Sequence, residues 1–267
     1  MYLCPLCQQP LSLHDKHYQC PQRHSFDIAR EGYVNLLPVQ NKKSKDPGDN
    51  KEMMQARRDF LQAGWYAPLA QAVNTIWASL SPTTLLDIGC GEGYYTNQVK
   101  QTLPGCDIYG VDISKSAIKF AAKACPAIKF SVASAYQLPF ADHSFDGILR
   151  IYAPSKPEEL QRLIKPAGHL LTVTPGPEHL VEIKHAVYEN VRLHDDAIAT
   201  IPGFTHLSRQ SLRYQLPFSQ EKDVLALIQM VPLAWKFSPV QKQQFAASTP
   251  AISVEFSLDL YQENTPV

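Results

Sequence analysis

Residues 85–93, LLDIGCGEG, join an apolar run to three alternating glycines. Leu85, Leu86 and Ile88 read as a buried strand. Asp87, Gly89, Gly91 and Gly93 set the pattern acid-x-Gly-x-Gly-x-Gly. A strand that turns sharply into a helix needs residues tolerating positive φ, and a bare main chain lets a ligand approach it closely. The helix that follows is YYTNQVKQTL, 94–103. A second apolar run, IYGVDIS, places Asp112 at a strand end 19 residues beyond Gly93, where a doubly wound sheet holds a carboxylate for a ribose. Nicotinamide enzymes carry a comparable loop, so the loop by itself leaves the cofactor open.

The sequel narrows it. IKFSVAS (128–134) precedes LPFADHSFDGILRIYA (138–153), and KPAGHLLTVTP (165–175) follows. In order and spacing these segments resemble the class I S-adenosylmethionine-dependent methyltransferases. That resemblance implies an α/β fold with a Rossmann-like, mainly parallel sheet. Strands are expected at 85–90, 108–113, 128–134, 145–152 and 168–174, then at 211–218 and 251–261. Helices are expected at 51–64, 68–80 and 178–191, with a largely helical insertion near 219–247.

A second chemistry precedes this fold. Cys4-x2-Cys7 is followed after twelve residues by Cys20-x3-His24. Paired thiolates with one imidazole suit a tetrahedral zinc site, each close pair forming a knuckle and a hairpin joining the two. His14 and His17 are rival nitrogen donors, but they fall in the hairpin, and His24 mirrors the first pair. The organisation expected is a zinc ribbon over 1–37, a linker over 38–50 with Pro47-Gly48 turn chemistry, and the methyltransferase domain over 51–267. Asp49 and Glu52 suit the start of the first helix. Cys90, Cys106 and Cys125 have no metal-like spacing.

Bulk properties limit the function. Charge balances, with 25 basic and 25 acidic residues, which argues against a general nucleic-acid binder without excluding a local basic patch. Lys42, Lys43, Lys45, Lys51, Arg57 and Arg58 form such a cluster, with Arg23 and Arg30 in the ribbon. Its alternative reading is a solvated linker and helix face. No apolar run approaches the ~18–20 residues of a membrane span. The first residues have no signal-peptide pattern, so reduced cysteines in a cytoplasmic protein are expected.

The strings CPLC (4–7), CPQRHSFD (20–27), EGYVNLLP (31–38), DPGD (46–49), EMMQARRDFL (52–61), DIGCGEGYYT (87–96), RIYAP (150–154) and TPGPEHL (174–180) resemble the bacterial 23S ribosomal RNA guanine-N1 methyltransferases. The resemblance runs over nearly the whole chain. It implies methylation of a guanine in a hairpin near the peptide exit tunnel, zinc on Cys4, Cys7, Cys20 and His24, S-adenosylmethionine in the glycine loop, and a homodimer. A small-molecule methyltransferase and a non-catalytic zinc-dependent RNA-binding protein are the alternatives.

Site expectations follow. Asp87 supports the loop and reaches the methionine amine. Gly89, Gly91 and Glu92 line the methionine end, and Asp112 accepts the ribose hydroxyls. The acid common after the third strand in class I enzymes is here Ser134-Ala135, leaving adenine to a hydroxyl or to backbone amides. Tyr66 is expected as a lid and His179 in the same cleft, with core packing and a cap as their respective alternatives. Arg150 is the candidate to stabilise charge on guanine O6, and Tyr152 to stack on a flipped base. An ion pair and core packing are their alternatives. The acceptor of the guanine N1 proton stays open between solvent and His179.

Overall fold

A computed structural model describes residues 1–38, 51–231, 233–248 and 250–264. The expected linker beyond Pro38, with Lys42, Lys43, Lys45 and Asp49, lies outside the described residues.

The chain begins with three short strands, β1 (Ser12–His14), β2 (His17–Gln19) and β3 (Ser25–Asp27), paired antiparallel in that order. A two-residue strand, β4 (Val34–Asn35), then leaves this small sheet and joins a large one. Helices α1 (Lys51–Gln62) and α2 (Ala67–Leu80) follow. Gly64, at φ +83°, supplies the left-handed turn between them.

The alternation expected for a doubly wound sheet comes next. Its elements are β5 (Thr84–Ile88), α3 (Tyr94–Thr102), β6 (Asp107–Asp112), α4 (Lys115–Ala124), β7 (Lys129–Val132), β8 (Phe145–Ile151), α5 (Pro157–Leu163) and β9 (Ile164–Pro175). The remainder is α6 (Val181–Val187), β10 (Phe204–Pro217), α7 (Glu221–Met230), α8 (Pro239–Ala247) and β11 (Ala251–Glu263). Helices α7 and α8 lie between the last two strands.

Eight strands run in the order β10-β11-β9-β8-β5-β6-β7-β4. Those from β9 to β4 are mutually parallel, whereas β11 is antiparallel to both β9 and β10. The chain moves outward from β5 to β7 and then returns to place β8 against β5. A crevice therefore opens at the carboxyl ends of β5 and β8, the switch point where such sheets bind ligands.

Side chains alternate across the sheet. Leu85, Ile108, Leu149 and Leu171 face one apolar cluster, shared with Trp77 of α2 and Ile118 of α4. Leu86, Tyr109, Ile148 and Leu170 face the other, shared with Leu160 and Leu163 of α5. No helix stands between β7 and β8 among the described residues. The ribbon covers the sheet there: Tyr2 stacks on Phe140 at 5.1 Å and meets Tyr109 and Tyr18 edge-on. Backbone bonds from Leu3 to Pro139 and from Ala141 to Met1 continue that contact.

Three elements differ from expectation by three residues or more at a boundary. The largest departure is β10, which starts at Phe204 rather than 211 and pairs with β11 from Phe204 opposite Glu263. The fifth parallel strand starts at Ile164 rather than 168, because α5 ends directly into extended backbone at Ile164. The helix expected over 178–191 is limited to Val181–Val187, since Leu180 is left-handed and Tyr188 is extended.

Candidate active site and metal centre

Each knuckle of the ribbon turns at a left-handed residue, Gln8 at φ +60° in one and Arg23 at φ +62° in the other. The amides of those residues donate to the carbonyls of Cys4 and Cys20, both at 2.8 Å. Cys4 and His24 are thereby 3.4 Å apart at their donor atoms, Cys20 and His24 3.4 Å, and Cys7 and Cys20 3.6 Å. All four donor atoms lie within 4.8 Å of one another. With Zn–S near 2.3 Å and Zn–N near 2.0 Å, a tetrahedral site has edges of ~3.8 Å and ~3.5 Å. Donor set and spacing fit zinc. His14 and His17 instead stack on each other in the hairpin, 5.6 Å between ring centres, and stay outside the cluster.

The glycine loop closes the end of β5. Gly89 and Cys90 donate their amides to Val111 of β6, at 2.8 and 3.0 Å. Gly89 sits at φ +74°, and a Cβ there would come within 2.4 Å of the Ala153 side chain. Only glycine lets the loop pass this close to the chain leaving β8. Gly91 donates its amide to Asp112 Oδ2 at 3.0 Å, and Ser114 donates to Oδ1 at 2.8 Å. These two amides orient the carboxylate.

Asp87 is buried, and its Oδ2 accepts the Thr96 hydroxyl at 2.6 Å. Burial pushes its carboxyl up to about 7, against the lowering effect of the Thr96 bond and with a smaller push from Asp112. A cationic amine placed beside it would restore the charged form.

Glu92 is held by Arg58 of α1 through two bonds, Nε to Oε2 at 3.1 Å and Nη2 to Oε1 at 2.8 Å. The Arg58 guanidinium also lies 3.8 Å over the Phe120 ring of α4. Both hydroxyls of Ser114 and Ser116 approach Met54 Sδ, at 3.9 and 3.6 Å. Helix α1 thus touches the glycine loop and the turn after β6, on either side of Asp112. Arg58 is therefore committed to the cleft, and Arg57 reaches the Met230 carbonyl at 3.5 Å, so these two arginines do not extend a solvated basic face. The signal was present in the sequence: Met54, Arg58 and Leu61 share a helical face, and a charge inside an apolar stripe calls for a partner.

Ser134 and Ala135 lie half-buried after β7. The Ser134 hydroxyl accepts the Tyr136 amide at 3.2 Å, which fixes the turn. Tyr66 is buried, edge-on to Phe60 at 4.9 Å and to Phe256 at 5.1 Å. It packs into the wall of the cleft rather than standing over it. His179 is buried against Phe256 at 4.9 Å, and the Tyr152 ring lies 6.1 Å away. The Glu255 amide donates to His179 Nδ1 at 3.2 Å, so the neutral ring carries its proton on Nε2. Burial, with the neighbouring His194, holds this imidazole down at about 3.

The two candidate catalytic residues part company. Tyr152, left-handed at φ +54° and 47 % exposed, turns toward Phe256 and His179. Arg150 follows the alternation of Ile148 to the other face of the sheet. There its Nη1 donates to Ser155 at 2.8 Å, and Tyr261 is its electrostatic neighbour. The placement of Arg150 beside Ser155 and Tyr261 does not support the expected role at guanine O6. Strand alternation would put residues 150 and 152 on one face, but the left-handed backbone after β8 turns Tyr152 to the other.

Comparison with known proteins gives concordant matches. Residues 2–45 match the family model described as RlmA, N-terminal, and residues 80–225 match one described as a methyltransferase domain. The chain is 32 % identical over 259 residues to the 23S rRNA (guanine(748)-N(1))-methyltransferase of Streptomyces fradiae, covering 93 % of this chain and 91 % of that protein. It is also 32 % identical over 253 residues to YxjB of Bacillus subtilis (strain 168), covering 88 % and 87 %. The crystal structure of MccD protein aligns with 74 % of this chain and 98 % of that one, at 19 % identity and a TM-score of 0.49.

Proposed function

Because this chain belongs to the family of 23S rRNA (guanine-N(1)-)-methyltransferases, we propose that it transfers a methyl group from S-adenosylmethionine to N1 of a guanine in 23S rRNA. The finer reading places that guanine in a hairpin near the peptide exit tunnel and the enzyme, a homodimer, in the cytoplasm. No helix among the described residues is long and apolar enough to cross a membrane.

The observation that carries the reading is the seam between metal module and cofactor cleft. Leu3, next to Cys4, bonds to Pro139, five residues beyond Ser134 on the cleft's adenine side. A ribbon docked there gives a large substrate a second wall, which a small metabolite does not need.

The residues divide the work by chemistry. Gly89 and Gly91 leave the main chain open to the ligand, Asp112 accepts the ribose hydroxyls, and Ser134 and Ala135 border adenine. Asp87, whose carboxyl burial holds at about 7, becomes fully ionised against the methionine amine, while Glu92 braces the loop through Arg58. Tyr66 walls the methionine end. His179 presents Nε2–H as a fixed donor to a carboxylate oxygen. Its neutral ring has no free lone pair, so it does not take the guanine proton. S-adenosylmethionine supplies, when bound, an electrophilic methyl on sulfonium. Tyr152 offers an exposed ring on which the extruded base stacks.

Incubation with labelled cofactor and 23S rRNA, followed by primer extension, tests the proposal. A single strong arrest one nucleotide before a guanine is expected, since N1 methylation blocks pairing. Label appearing only in a metabolite pool would refute it.

A further inference from the structure

Methylation at guanine N1 leaves a proton to be removed, and His179 is occupied at Nδ1 by the Glu255 amide. A second nitrogen base stands on α6, the helix that begins two residues after His179. Lys184 of α6 is only 8 % exposed, and its Nζ is buried without a hydrogen-bond partner. His179 and His194 are its electrostatic neighbours. Among the described residues no carboxylate pairs with it. Glu182, on its own helix, is bound to the Ser253 amide and hydroxyl of β11. Glu178 pairs with Arg213 of β10, and Glu255 of β11 accepts the Glu178 amide at 2.7 Å. The cation of Lys236 lies over Tyr188, one turn further along.

A buried ammonium without an acceptor costs several kcal/mol, so such a site favours the neutral amine. Burial indeed lowers the Lys184 proton affinity from the ordinary lysine value. A neutral amine there carries a lone pair that no hydrogen bond among the described residues occupies.

We propose that Lys184 is the general base that takes the N1 proton of the target guanine during methyl transfer. The proposal rests on the methyltransferase reading above. In the step, the N1–H electron pair stays with the ring as the proton moves to Lys184 Nζ, N1 bonds the methyl carbon, and the S–CH3 pair remains on sulfur. The products are N1-methylguanine, S-adenosylhomocysteine and an ammonium that returns its proton to solvent. The amine is covered in the substrate-free molecule, so the guanine edge enters the cluster beside Tyr152, the exposed ring next to His179.

Single-turnover methylation of 23S rRNA at saturating cofactor tests this, with wild type, Lys184→Ala and Lys184→Arg compared across pH. Wild-type rate should rise with pH and then level as the amine becomes neutral. Both variants should lose about a hundredfold in rate at neutral pH, the usual minimum worth of a positioned base. Cofactor affinity by calorimetry should stay within about twofold, and small primary amines should partly rescue Lys184→Ala but not Lys184→Arg. Arginine stays protonated, so a Lys184→Arg rate within about fivefold of wild type would overturn the proposal. So would a wild-type rate flat from acid to alkaline pH, a result that needs no variant to fold. Absence of N1-methylguanine with wild type would refute the reading of function instead.

Discussion

The ribbon and the nucleotide-binding sheet sit side by side but are stabilised by opposite means. Strand β1 is exposed at all three residues, and β3 is half-buried only at Phe26, so the ribbon has almost no interior of its own. Strand β5, by contrast, is buried at four of five positions and lies between two apolar clusters. A segment too small to bury a core relies on a metal crosslink, whereas the sheet relies on area removed from water. The lesson lies at the boundary. Tyr2 belongs to the ribbon by sequence and to the sheet's second core by contact.

The largest effect should come from the metal centre. Cys4→Ser with Cys7→Ser should abolish stoichiometric zinc and unfold the ribbon, because structural zinc contributes on the order of 10 kcal/mol. Metal analysis still giving one zinc per chain would break the comparison at its base. Next is the seam. Tyr2→Ala removes a buried ring stacked on Phe140 and should cost about 3 kcal/mol in denaturant unfolding, with zinc retained. Unchanged stability would make the two regions independent.

Within the sheet, Asp112→Ala should weaken cofactor binding well over tenfold, about 1.5–3 kcal/mol for a lost charged hydrogen-bonding group. Calorimetry would detect it. The last effect is a pH dependence and concerns Asp87, whose carboxyl stands near 7 in the folded chain against about 4 unfolded. Its folded value is raised, so its contribution to stability is present below about pH 4 and lost as pH rises through 7. Thermal melts of the cofactor-free protein should therefore fall from pH 5 to 8, and Asp87→Asn should flatten that fall. Cofactor affinity should run the other way, tightening over the same range as the carboxylate ionises and becomes available to an amine. Affinity independent of pH would remove Asp87 from the amine.

What the sequence disclosed tracks how locally each feature is encoded. The metal quartet was legible because chelation demands short spacings, and Asp112 because one β-α-β unit fixes its distance from the glycine loop. The opposite orientations of Arg150 and Tyr152 were not, since Tyr152 leaves strand alternation through a left-handed backbone that no local motif announces. The Arg58–Glu92 pair joins residues 34 apart, so the helical face of Arg58 calls for a partner but nothing local names Glu92 as that partner. Lys184 was invisible for the same reason: its burial comes from tertiary packing. The shortened α6 reflects Leu180 and Tyr188 departing from helical backbone at either end, although the residues between them favour the helix.

Strand β4 gives the molecule an order of construction. Val34 and Asn35 pair in parallel with Ser131 and Val132, the edge of the large sheet. On a growing polypeptide the first member of that pair emerges about 100 residues before the second, about 5–20 s at ordinary rates of synthesis. During that interval the ribbon has its four donors in hand but no sheet to lean on. Metal capture therefore comes first and docking second, and a nascent chain starved of zinc would meet the finished sheet with an unformed partner and an uncovered edge.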